Sequence, residues 1–264
     1  MPLPLLAHGA PVLPLKLWWP RLVNGTALVI GSIAPDAEYV WFGHVRGDWG
    51  HSMPGLLTFC LPVTLVLHPI VTRVIARPLA AHLPQGGSWR WRDLALVTPA
   101  RATVRSIAGV ALWGTLGAFT HLVWDAWAST EGWSAVMRLV ATGRAYVPTP
   151  TVMESIQPVS SLLGALVTFA ILWQIGSRGL MREWSTEQAV ARPLPRQRAW
   201  FWPFLATVAV TMSALAVHRR PNGFFLHEPA IWVIVAVRTT RAVAIALIAA
   251  CAAVLVTDGR ARTE

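Results

Sequence analysis

His121 and Asp125 close a long apolar run, in Thr120-His121-Leu122-Val123-Trp124-Asp125. Four residues apart on a helix, an imidazole and a carboxylate project from one face, one turn apart. Neither group is welcome in hydrocarbon, so each needs a partner or a wet cavity. Side by side they can hold one metal ion. The bland alternative is a helix-end histidine hydrogen-bonded to an aspartate, and the pair alone does not choose between them. The elements around it must decide what else reaches the same place.

Those elements are set by composition. The chain has 264 residues, 55% of them hydrophobic and 13% charged, with mean hydropathy +0.51. Soluble domains carry about 25% charged residues, and several apolar runs here reach the roughly 20 residues that span a bilayer. The expectation is an all-α, polytopic membrane helix bundle. The fifteen tryptophans suit it, with Trp18, Trp19, Trp49, Trp200 and Trp202 at candidate boundaries. The net charge of +10 does not indicate nucleic acid. The arginines cluster in loops between apolar runs, as topology and anionic lipid headgroups require. Cys60 and Cys251, the only cysteines, lie inside apolar runs and read as small buried hydrophobes. No cleavable signal pattern is expected at the proline-broken start.

Residues 1–21 carry too many prolines for a continuous spanning helix. Residues 22–34 are apolar and small, and too short for a clear span, so they predict a buried or re-entrant helix. Spans are expected at about 54–76, 106–127, 158–177, 200–217 and 230–256. Residues 1–177 form the membrane domain with the candidate site. Residues 178–264 supply a basic connector and two further spans.

Arginine counting gives an orientation. Connectors 77–105 and 178–199 hold five arginines each, whereas those after the second and fourth spans hold two each. The first set is expected in the cytoplasm, with the C-terminus, in a cell (inner) membrane. The N-terminal region then lies outside, unless residues 22–40 cross completely. Under this topology His51 opens the first span from the outer side, and His121 and Asp125 close the second at the outer side. His8 and Asp36 precede the first span and can reach the same side. Imidazoles and carboxylates together suit zinc, and also manganese or iron. Five groups could serve one five-coordinate ion or two ions sharing a carboxylate.

Each group has a plainer reading. His8 could be packed, Asp36 could cap a helix at Ala37-Glu38-Tyr39, and His51-Ser52 could be a helix start. His44 is a lesser rival to His51. His68 should bond a neighbouring helix, and His82, His218 and His227 read as loop or interface residues. Glu154 and Gln157 could support the site from outside. Arg238 and Arg241 share one face of the last helix and should snorkel or pair within the bundle, with a headgroup contact as the lesser alternative.

The order Ala7-His8, Ile30-Gly31-Ser32-Ile33-Ala34-Pro35-Asp36, Gly50-His51-Ser52 and Gly117-Ala118-Phe119-Thr120-His121-Leu122-Val123-Trp124-Asp125 resembles a bacterial membrane family, domain of unknown function 4184. The resemblance is placed on residues 1–175. The same order is similar to the YdjM-type membrane-bound metal-dependent hydrolases and, more distantly, to zinc-dependent phospholipase C and related zinc nucleases. It implies that His8, Asp36, His51, His121 and Asp125 are metal ligands. After Asp125 this chain departs from those families: it reads Ala126-Trp127-Ala128-Ser129, without the Thr-His or Thr-Pro step, and lacks the extra histidines of a three-zinc site.

The functional expectation is a membrane-embedded, metal-dependent hydrolase acting on a phosphoester or lipid-linked substrate at the outer interface. A divalent cation lowers the pKa of bound water toward 7 and stabilises charge on a phosphoryl or acyl oxygen. Asp125 is the expected catalytic residue, and Arg46 and Arg144 the phosphate-binding ones. The alternative is a non-catalytic membrane protein with a structural metal or polar cluster. A transporter ranks last, because no internal repeat or paired broken helices are visible.

Overall fold

The computed structural model describes residues 7–42, 49–84, 87–97, 99, 103–127, 150–219 and 229–260, and all regular structure among them is helical. Two short helices, α1 (Leu13–Trp18) and α2 (Gly25–Ile33), lead into a third, α3 (Ala37–Phe42). Five longer helices are apolar enough to cross a membrane. They are α4 (Met53–His82), α5 (Val104–Trp127), α6 (Pro150–Arg178), α7 (Phe201–His218) and α8 (Pro229–Arg260). This is an all-α, polytopic membrane bundle.

Residues 7–36 fold back on themselves as a helical hairpin. α2 has nine residues, about 13 Å at 1.5 Å per residue, too short to cross. Asn24 starts it by accepting the Ala27 N–H at 3.1 Å, which satisfies one orphan donor of the first turn. At the hairpin tip Lys16 Nζ donates to the Pro20 and Val23 carbonyls. It also lies over the Trp184 ring, 5.0 Å from its centroid, in the connector that follows α6. His8 Nε2 lies 3.7 Å from Asp125 Oδ1 and Asp36 Oδ1 lies 3.8 Å from His121 Nε2, so both ends of the segment come to one turn of α5.

α4 is longer than the sequence indicates. It continues through Ala76–His82, residues expected in the connector. It also contains two wide turns, Leu56–Cys60 and Ile70–Ile75, in which N–H groups reach five residues back, Leu61 to Leu56 and Ala76 to Val71. Prolines explain them: Pro62 and Pro78 lack an N–H and crowd the carbonyls of Thr58 and Val74, each inside a wide turn that relieves the clash. His82, read from sequence as a loop or interface residue, is buried at the end of this helix. It stacks on Phe201 at 4.0 Å and accepts the Arg198 N–H at 2.8 Å. α6 likewise starts at Pro150, before the expected 158, because proline is tolerated in a first helical turn.

The contact that positions the site is between α2 and α5. A Cβ on Gly31 would lie 2.0 Å from the Gly114 carbonyl oxygen, and one on Gly117 would lie 2.2 Å from that of Leu28. The two backbones touch, and only glycine permits that approach. Gly117→Val should therefore push the helices apart, lowering the melting temperature in detergent by the equivalent of about 1–3 kcal/mol. Gly109→Val, with nothing within 4 Å of the added carbon, should melt like wild type.

Candidate metal centre

Four segments deliver side chains to one point beside this contact. The helical hairpin brings His8 at one end and Asp36 at the other. Asp36 follows Pro35 and, rather than capping α3 with its side chain, faces the histidines. His51 comes from the turn before α4. Ser52 caps that helix by accepting the Gly55 N–H at 3.0 Å, which leaves His51 free to point inward. The buried Glu38 carboxylate pins the same turn by accepting the Gly50 N–H at 2.7 Å. α5 supplies His121 and Asp125 on one face.

The distances are short. His121 Nε2 lies 3.2 Å from Asp125 Oδ2, 3.8 Å from Asp36 Oδ1 and 3.3 Å from His51 Nε2. His51 Nε2 lies 3.4 Å from Asp36 Oδ1 and 3.7 Å from Asp125 Oδ2. These are five of the six edges of a four-atom cage. At these separations the groups could share one cation. His8 Nε2 stands 3.7 Å from Asp125 Oδ1 and adds a fifth donor. Two overlapping triads, His8–His121–Asp125 and Asp36–His51–His121, could each hold a metal ion.

The hydrogen bonds fix which atoms face inward. His121 Nδ1 lies 2.8 Å from the Ser32 carbonyl oxygen. A carbonyl only accepts, so Nδ1 carries the proton and Nε2 of the neutral ring presents a lone pair. That lone pair faces two carboxylate oxygens and a second imidazole. His51 Nδ1 lies 3.4 Å from the Tyr39 hydroxyl. His8 is buried and stacks on His121 at 3.6 Å, and neither of its nitrogens has a hydrogen-bond partner. A histidine–aspartate hydrogen-bond cluster would leave both nitrogens orphaned at a cost of about 1–3 kcal/mol each. A cation among the five groups gives His8 Nε2 a partner and separates the facing acceptors. The donor set therefore fits a divalent cation, and burial pushes His8 down to about 4, the neighbouring His121 adding to the shift. At neutral pH its ring is in the neutral, metal-ready form.

A family profile described as a domain of unknown function (DUF4184) matches residues 1–257. The chain belongs to the DUF4184 family. The match runs through the last two spans, well beyond the residues 1–175 on which the sequence resemblance rested, so α7 and α8 are part of the DUF4184 unit. No curated protein and no solved structure matches the chain.

Other sequence candidates fall elsewhere. His68 Nε2 lies 3.3 Å from Asn24 Nδ2, tying α4 to the start of α2. His218 ends α7. His44, Arg46, Arg144 and His227 lie outside the described residues, as do the side chains of Glu154 and Gln157. Sequence reasoning missed Ser32, whose backbone orients His121, and Tyr39 and Glu38, which hold His51 and its turn. A backbone acceptor leaves no residue-type signal, but the small residues Gly31, Gly114 and Gly117 could have signalled the close helix crossing.

Two measurements test the DUF4184 centre. His121→Ala should lower zinc affinity by more than the 10–100-fold that outer-shell changes cost, read by metal titration of the purified protein. Folded His8 stays neutral down to about pH 4, whereas an unfolded histidine protonates near 6.5. As pH falls through this window the unfolded chain binds the extra proton, so the metal-free protein loses stability. His8→Leu should flatten the fall in melting temperature between pH 6.5 and 4.

Proposed function

We propose that this DUF4184 protein is a membrane-embedded, metal-dependent hydrolase acting on a phosphoester or lipid-linked substrate at the outer membrane interface. The observation that carries the reading is the one-sided exposure of the cluster. His8 and His121 are buried, while the Asp125 side chain is 41% exposed. A structural metal site is closed, whereas a catalytic one keeps an open position. Zinc is the first candidate, and manganese or iron also suit imidazole with carboxylate. The order His, Pro-Asp, His-Ser and HxxxD, similar to YdjM-type hydrolases and distantly to zinc-dependent phospholipase C, supports the same reading.

A divalent cation held there supplies Lewis acidity, polarising a phosphoryl or acyl oxygen and acidifying water. The chain's own groups do the rest. Ser32 holds His121 in one tautomer. Asp125, at the rim, accepts a hydrogen bond from the attacking water and fixes its approach. The buried His8 and His121 rings keep water out from the protein side. Arg46 and Arg144 are the phosphate-binding residues of this reading.

The assay is phosphoester or phospholipid hydrolysis in detergent, with zinc or manganese supplied and a chelator control. Asp125→Asn keeps the shape and removes the charge. Activity should fall by more than the roughly 10–100-fold expected for metal affinity. Glu187→Gln, exposed in the connector after α6, should leave turnover unchanged. Equal activity of Asp125→Asn and wild type would rule the mechanism out. Metal bound without turnover in either protein would favour a structural centre.

The arginine distribution supports connectors 77–105 and 178–199 in the cytoplasm and the metal centre outside. A cysteine at Glu187 should be shielded from an impermeant thiol reagent in intact cells and label after permeabilisation. Labelling in intact cells would invert the orientation.

A further inference from the structure

α8 carries two arginines, Arg238 and Arg241, inside its apolar stretch of Ile234–Gly259. Their depth can be read from the other end of the helix. Asp258 Oδ1 accepts the Arg196 N–H at 3.2 Å, which ties that end of α8 to the basic connector. A hydrocarbon core takes about 20 helical residues, and counting back that far from Asp258 reaches Arg238. Both arginines therefore lie at the boundary on the metal-centre side, where phosphates of lipid headgroups sit. The contacts agree: Arg241 Nη1 donates to the Trp41 carbonyl at 3.3 Å, in α3, the helix that starts beside Asp36.

Among the described residues neither guanidinium has a carboxylate partner, and α8 has no acidic residue before Asp258. Each makes one bond to the end of a neighbouring helix, Arg238 to the Arg219 carbonyl beyond α7 at 3.4 Å and Arg241 to Trp41. Such bonds satisfy orphan carbonyls at helix ends. A guanidinium has five N–H donors, so most remain for another acceptor. Arg241 is exposed. One turn deeper on its face Ile245 is 60% exposed, and beside it at the boundary Trp41 is 76% exposed. Cation above, aliphatic side chain below and indole alongside match a phosphate, an acyl chain and the glycerol region of one lipid.

We propose that Arg238 and Arg241 form a binding site for the phosphate headgroup of an anionic phospholipid in the leaflet that faces the metal centre. The sequence alone favoured snorkelling or pairing within the bundle, with a headgroup contact as the lesser alternative; the exposed position of Arg241, the apolar track below it and the lack of an acidic partner among the described residues favour the headgroup. The site stands whether or not the metal centre is hydrolytic, because it shares no residue with it. Planar, multi-donor guanidinium suits a phosphodiester better than a point charge does.

The test is native mass spectrometry of delipidated full-length protein titrated with phosphatidylglycerol or phosphatidylcholine. Wild type should retain phosphatidylglycerol preferentially, and each arginine should contribute roughly fivefold, the scale of one basic residue at an anionic surface. Arg241→Gln keeps an amide donor for the Trp41 carbonyl but removes the charge, so a purely structural role would survive it. The Arg238→Gln, Arg241→Gln double variant should show no preference between the two lipids. Arg241→Lys keeps the charge, protects the fold and should bind phosphatidylglycerol at an intermediate level. Wild type without a preference, or a double variant that keeps the wild-type preference, would overturn the proposal. Competition by soluble glycerol phosphate as strong as that by the lipid would also overturn it, since the apolar track would then contribute nothing.

Discussion

The backbone contact between α2 and α5 is the constraint on which the candidate centre depends. Gly31, Gly114 and Gly117 remove every side chain that would hold the helices apart. The approach brings the Ser32 carbonyl within 2.8 Å of His121 Nδ1. That bond sets the tautomer, and the tautomer turns the lone pair of Nε2 toward Asp36, His51 and Asp125. In lipid the hydrophobic effect does not distinguish one helix partner from another, so close packing and hydrogen bonds must select the crossing. Here one crossing supplies both.

The same logic of satisfying polar groups runs through the bundle. Lys16 is neutralised in effect by the two carbonyls of the hairpin turn and by an indole face. Arg182 holds the buried Asp93 through both carboxylate oxygens, at 2.8 and 3.0 Å. His82, Gln197 and Trp202 tie the end of α4 to the start of α7. At the basic end these contacts are direct. At the metal-centre end the polar groups converge on each other instead, and among the described residues neither nitrogen of the buried His8 finds a hydrogen-bond partner.

Much of the architecture was legible because membranes impose simple rules. Long apolar runs gave the five candidate crossings, and arginine counts put His51 and His121 at one level. The gathering of His8 and Asp36 followed only if residues 22–40 did not cross. Nothing in their composition decides that; the hairpin's return is set by Lys16 and by the contact of α2 with α5, both tertiary. The true length of α4 was hidden for a related reason. Arg77 and Pro78 look like a boundary, yet packing against Phe201 and the α7 end continues the helix past them. Ser32 was invisible because it acts through its carbonyl, which every residue has. For Arg238 and Arg241 the sequence allows snorkelling, pairing or a headgroup contact, because which neighbours a helix face meets is a fact of three dimensions.

The helical hairpin also imposes an order on biogenesis. His8 leaves the ribosome more than a hundred residues before Asp125, the oxygen it faces. The hairpin cannot settle as a stable span, and its seat is the surface of α5, which does not yet exist when residues 7–36 are made. Until the second crossing is in place, a lysine and the open carbonyls of a turn have nowhere dry to go. The N-terminal segment must therefore wait at the interface and fold back into a groove prepared by later helices. Closure of the centre has to wait for α5, so all five groups meet only in a protein whose first two long helices are already paired.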